Sequence, residues 1–240
     1  MTNGDSIIFD GDLVEMSEHI VEPKDEEDKI KQLTKLLRER CSLFSEDETE
    51  RTMAQIEKFL ARVSGPAETT QSFLQETANT ISRMFDFAEF VVALKDRSDG
   101  LFKYVAFVGM RKEAELAYRK LGYTADEVIS PIKFPRIKLT NHIDFFLGEY
   151  RPYREGELET FNRPSQLGKE RGSMENLQEG DYICVYFFTP TREILGWFEI
   201  ARTMNGLIPS RHTFKWLEFL AVIAGRIVYE KEFGIPRRSP

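Results

Sequence analysis

The apolar run Tyr182-Ile183-Cys184-Val185-Tyr186-Phe187-Phe188 is followed by a polar turn, Thr189-Pro190-Thr191-Arg192-Glu193. A second run, Ile194-Leu195-Gly196-Trp197-Phe198-Glu199-Ile200-Ala201, comes next. Two strand-length runs across a short turn predict a β-hairpin. A loop with Asn205-Gly206 and Pro209-Ser210 leads to a segment from Phe214 to Tyr229 whose apolar residues recur at three- and four-residue spacing. That period predicts a long helix. Ser210 is its expected N-cap and His212 a first-turn residue. The other elements must pack around this hairpin and helix. The stretch points to a binding module rather than an enzyme, and it names no ligand or cofactor.

Composition bounds the rest. The chain has 240 residues, 41% hydrophobic and 30% charged, a globular mixture with room for one good-sized domain and an extension. Nineteen phenylalanines supply a large aromatic core. A net charge of −7 makes nucleic acid an unexpected partner. Cys41 and Cys184 fall in different predicted elements, so reduced cytoplasmic thiols are expected rather than a disulfide. Two cysteines and three scattered histidines make a poor zinc set. The N-terminus is acidic and lacks the pattern of a signal peptide. The most apolar helix carries Lys215, Glu218 and Arg226, so no membrane partner is expected.

Residues 1–24 read as an acidic flexible tail, with Ile7–Phe9 as its anchor if it docks. Residues 25–64 read as a helical extension. Ile30, Leu33, Leu36 and Leu37 form a narrow stripe on the first helix. Ser45-Glu46-Asp47-Glu48 has the form of a capping box for the second, which carries Met53, Ile56, Phe59, Leu60 and Val63. These two helices either cover a core or pair with a second copy, making a homodimer.

Pro66 is expected to open a third helix through Met84, and Ala88–Lys95 and Leu101–Gly109 to form a hairpin. A helix over Arg111–Leu121, capped by Gly122, precedes a third strand over Phe134–Ile143, with Asp144–Gly148 as a helix or turn. Residues 150–180 form a long, irregular, charged loop, and residues 235–240 a tail. This order predicts an α+β fold: a mostly antiparallel sheet, the early and closing helices on one face, and the middle helix and long loop on the other.

From about Pro66 to Glu232 the chain resembles a GAF domain. The resemblance rests on Gly180-Asp181 leading into a strand, the apolar-Gly-apolar strand around Gly196, and Asn205-Gly206 and Pro209-Ser210 before the closing helix. It implies a GAF-like domain over residues 65–234, with helices on one sheet face and a ligand pocket on the other. It also implies regulatory binding of a small molecule and dimerisation through terminal helices. The remaining length holds no kinase, cyclase or receiver segment, so a stand-alone sensory module is expected.

No Walker loop, dinucleotide-binding glycine pattern or Gly-x-Ser-x-Gly elbow occurs. Cys184, in an apolar strand, reads as core packing, or on the pocket face as a redox or attachment point. His142 near Asp144 reads as a capping histidine more readily than as a metal or heme ligand. Strand alternation separates Phe198 and Ile200, expected under the helices, from Trp197 and Glu199, expected toward the pocket. Cys184, Tyr186 and Tyr104 join that candidate set. Arg163, with Arg151, Arg154, Lys169 and Arg171, offers either an anion site or, with the interleaved glutamates, a solvated lid. The expected function is that of a small-molecule sensor passing its state to a protein partner or second subunit. The alternative is a non-catalytic dimeric adaptor whose pocket is filled by its own side chains. An enzyme acting through Cys184 or His142 ranks last.

Overall fold

The computed structural model describes residues 26–40, 46–63, 69–150 and 153–234. The expectations for the acidic tail, Cys41, the Ser45–Glu48 capping box, Pro66, Arg151 and the C-terminal tail fall outside the described residues or side chains.

Among the described residues six α-helices and seven strands follow in order. Helices α1 (Glu26–Arg40), α2 (Glu46–Val63) and α3 (Thr70–Met84) precede strands β1 (Phe87–Lys95) and β2 (Phe102–Val108). Then come α4 (Lys112–Tyr118), β3 (Gly122–Tyr123), α5 (Ala125–Ile129), β4 (Ile137–Lys138) and β5 (Ile143–Phe146). The chain closes with β6 (Tyr182–Phe188), β7 (Ile194–Thr203) and α6 (Arg211–Phe233). The strands form one sheet in the order β3-β2-β1-β7-β6-β5-β4. Every strand pair is antiparallel. This is the GAF-like α+β architecture the sequence predicts.

Several local expectations need correction. Thr69 caps α3, its side chain accepting from the Ser72 amide. Gly122 does not end a helix but pairs with Lys103 in β3. The segment after it holds a short helix with a full capping box, Thr124 and Glu127 each bonding the other's backbone. The expected strand over Phe134–Ile143 is reduced to Ile137–Lys138, and the better strand begins at Ile143. Alternation in Ile143-Asp144-Phe145-Phe146 is masked because all four residues are buried.

The sheet divides the interior. Phe90, Val92, Val185, Phe187, Phe198 and Ile200 lie in a core shared with α1, α2, α3 and α6. Leu33, Leu37, Ile56 and Phe59 belong to that core. In the α1 stripe Leu33 and Leu37 are therefore buried within the chain, with Ile30 and Leu36 partly buried against the same core. Val91, Ala93, Tyr104, Cys184, Tyr186 and Trp197 face the other way, into a second cluster with Tyr118, Tyr123 and Phe134.

Gly196 fixes how the two layers meet. A Cβ there would lie 2.3 Å from the Ala93 carbonyl oxygen and 2.4 Å from the Phe187 ring. The ring of Phe187 takes the space a side chain would need. Gly225 of α6 in turn lies over this spot, where a Cβ would come within 3.2 Å of Phe187 Cβ and 2.9 Å of the Phe188 carbonyl oxygen. Two glycines thus let helix and sheet approach closely.

Candidate functional site

A cavity lies in the second cluster, on the sheet face away from α6. About 60 Å³ of it is open to the centres of water-sized molecules. On that measure one water needs roughly 10–15 Å³, so the space holds a few. Its floor is β2, β6 and β7, through Tyr104, Cys184, Tyr186, Trp197 and Glu199. The register explains the convergence. Cys184 pairs with Glu199 and Tyr186 with Trp197 across β6–β7, so all four project from one face.

Glu199 is the polar centre. It is 4% exposed, and three donors converge on it. Tyr104 Oη donates to Oε2 at 2.7 Å, Tyr118 Oη to Oε1 at 3.0 Å, and Trp197 Nε1 to Oε2 at 3.2 Å. Two oxygens receiving three donors are the pattern of an ionised carboxyl. Burial pushes the Tyr104 and Tyr118 hydroxyls well above the ordinary tyrosine range, and the neighbouring Glu199 adds to the shift. Both phenols stay protonated as donors. Tyr186 is raised in the same direction, by burial first and then by Cys184 and Asp144.

The walls come from segments the sequence left without a role. Tyr123 donates to Glu157 Oε1 at 2.8 Å, and Glu157, in the long loop, is 2% exposed. Thr160 and Phe161 of the same loop also line the space. Phe146 stacks on Tyr182, ring centres 4.4 Å apart.

The loop itself is clamped. Arg171 and Asp181 form a two-pronged pair at 2.9 Å on each prong, both side chains at most 2% exposed. Arg171 also holds Glu149 at 2.8 Å and 2.9 Å. Asp181 accepts further from the Gly148 and Gln178 amides. Burial raises the Asp181 carboxyl above its ordinary value despite the pull of Arg171. For Glu149 burial also pushes upward, but the Arg171 hydrogen bonds outweigh it and the net shift is downward.

Five of the six candidate residues thus gather around one cavity. Arg163 is not brought there. Its guanidinium lies on the nearly buried Glu179 carboxyl at 2.8 Å. Arg163 and Arg171 are therefore held by carboxylates rather than offered as an anion site, while Arg154, Glu155, Glu159, Lys169 and Glu170 are exposed. Tyr118, Tyr123 and Glu157 complete the cavity. Tyr118 was legible as an inward-facing helix residue, whereas nothing local distinguishes Glu157 from its charged neighbours.

The alternative chemical candidates have structural occupations. His142 Nδ1 lies 2.9 Å from the Tyr186 carbonyl, which only accepts, so that nitrogen donates. Buried His212 accepts from Trp216 Nε1 at 3.0 Å. Cys184 is a buried thiol. Among the described residues no group of three or more His, Cys, Asp or Glu can hold a metal, and no helix is long and apolar enough to cross a membrane.

No protein-family model matches the sequence, and no curated protein matches it. Solved structures do. The GAF domain of a phosphoenolpyruvate-protein phosphotransferase from Coxiella burnetii superposes with a TM-score of 0.51 at 13% identity, over 79% of this chain and 99% of that one. The corresponding Acinetobacter domain gives 0.46 at 9% identity, over 78% and 96%. A domain of a putative sensor histidine kinase from Sinorhizobium meliloti gives 0.46 at 13%, over 73% and 100%. The fold of this chain is GAF-like.

Proposed function

We propose that the protein is a GAF-type sensory module: a non-catalytic domain that binds a small molecule between the sheet and the long loop and passes its state to another protein through the helices behind the sheet. One observation carries the reading. The GAF-like sheet keeps an aromatic cavity with a buried, hydrogen-bonded glutamate on the face opposite α6, and Tyr104, Cys184, Tyr186, Trp197 and Glu199 form its floor. A few polar groups set among aromatic rings suit a small organic ligand. The module acts as a cytoplasmic protein with reduced thiols, and as a homodimer.

Native mass spectrometry of the full chain tests the binding. A retained small molecule, lost on changing Trp197 to Ala, is the expected result. Hydrogen exchange that slows in both the cavity walls and α6 on ligand addition would support the signalling half. Light scattering over a range of concentrations reads the dimer. The adaptor reading has one observation in its favour: the rings fill most of the space, leaving about 60 Å³. A chain that never retains or takes up a molecule, yet forms the same dimer, would favour it.

A further inference from the structure

Three of the phenols that line the cavity have their protons already committed. Tyr104 and Tyr118 give theirs to Glu199, and Tyr123 gives its own to Glu157. What these three phenols turn toward the cavity is therefore oxygen lone pairs and ring faces. Both are electron-rich. The carboxyls of Glu157 and Glu199 add to the same sign. Among the described residues that line the space none is Lys, Arg or His. The third lining carboxyl, Asp181, is offset by its two-pronged pair with Arg171. Arg154 stacks over Tyr123 at 5.0 Å, but its side chain is 43% exposed and reaches toward Glu127, away from the lining set.

A ligand entering such a space gains nothing by bringing negative charge. It is matched by hydrogen-bond donors on a positive group, and by a size of roughly four to six heavy atoms in about 60 Å³. We infer that the ligand of this cavity is a small organic cation bearing N–H groups, an alkylammonium or a guanidinium, held by Glu199 and Glu157 inside the tyrosine and tryptophan rings. Cation–ring attraction alone would accept a quaternary ammonium equally well, whereas the surplus of acceptors favours N–H donors. This inference rests on the sensory reading above and names the chemistry of its ligand.

Trp197 reports on the site. The chain has two tryptophans, so changing Trp216 to Phe leaves a single fluorophore in the cavity wall. The full chain carrying that change is titrated with methylguanidinium, ethylammonium, tetramethylammonium and acetate at constant ionic strength. The expected result is saturable change with the first two, at least about tenfold weaker change with tetramethylammonium, and none with acetate. Glu199→Gln keeps the shape and should weaken methylguanidinium at least about tenfold, the usual scale for losing a charged hydrogen-bond partner. Should that variant fail to fold, Glu157→Gln, at the cavity rim, should weaken it severalfold with an unchanged circular dichroism spectrum.

Three outcomes overturn the inference. If the cations have no effect and native mass spectrometry finds a retained neutral or anionic molecule, the cation class falls while the sensory reading stands. If the cations bind equally in the Glu199 and Glu157 variants, the carboxyls do not hold them. If no probe binds, no molecule is retained and acrylamide does not reach Trp197, the inference and the sensory reading fall together.

Discussion

Tyr104 donates a 2.7 Å hydrogen bond to Glu199, a residue 95 positions away in sequence. The bond joins β2 to β7 across β1 and fixes the carboxyl at the centre of the cavity. Removing the hydroxyl leaves a buried, charged acceptor with one donor fewer. Tyr104→Phe should destabilise the fold by about 1–3 kcal/mol, and Tyr118→Phe by a similar amount. The double variant should cost less than the sum if the two donors share one carboxyl, a coupling that urea titration of all four proteins measures.

Arg171 is the residue whose loss should be felt most in the loop. Changing it to Leu strands Asp181, whose side chain is 0% exposed, without its counter-charge. A loss of about 3–5 kcal/mol is expected, read as a lower midpoint in thermal or urea unfolding. Arg171→Leu combined with Asp181→Asn should recover part of it. A mildly affected single variant would mean that the pair opens to water.

The Glu149 contribution should depend on pH in one direction. Its carboxyl is held below 4.5 in the folded state by Arg171, against the upward push of burial. A depressed folded value gives stability that is present at neutral pH, above the unfolded value, and is lost as the pH falls through the folded one. Glu149→Gln should therefore be less stable than the parent at pH 7, by about 1 kcal/mol for a side chain still 30% exposed. The gap should close as the pH drops below 4.5. Asp181 and Asp144 work in the opposite sense, since both are raised by burial and are relieved by protonation. Only the difference between variant and parent isolates Glu149.

Leu37 distinguishes a helix that covers the core from one that pairs two copies. Its side chain is fully buried within a single chain. Leu37→Ala should cost about 2–4 kcal/mol regardless of protein concentration. A penalty that disappears on dilution would place the stripe between copies after all.

Cys184 should be inert until the chain unfolds. With Cys41 changed to Ser, a thiol reagent such as dithionitrobenzoate should label the native protein slowly and the urea-unfolded protein at once, because Cys184 is 3% exposed. Rapid native labelling would mean that the cavity opens on the time scale of the assay.

Much of the fold could be read directly because the relevant signals are local. The hairpin after Asp181 and the helix after Ser210 each carry their own pattern of alternation, turn and cap. Alternation also sorted Phe198 and Ile200 from Trp197 and Glu199, and the structure puts the two sets on opposite faces. The edge strands were harder. In β5 burial on both faces removes the polar–apolar rhythm, and β3 and β4 have two residues each. The site was legible on its strands and not on its loop. Glu157 meets Tyr123 across 34 positions, and Arg171 meets Asp181 only because the loop folds back on the start of β6. Such pairings depend on tertiary closure, and a run of alternating charges looks the same whether its members pair in the interior or in water.

The Phe187 ring is seated over Gly196, where no side chain stands between ring and strand. The pair Tyr186–Trp197 forms cavity wall, and the next pair along the same two strands, Phe187–Gly196, forms the seat of α6 at Gly225. No side-chain layer separates them. The cavity floor and the seat of the α6 backbone are thus one residue apart on the same two strands, with the Phe187 ring on Gly196 and the Phe187 Cβ and Phe188 backbone against Gly225.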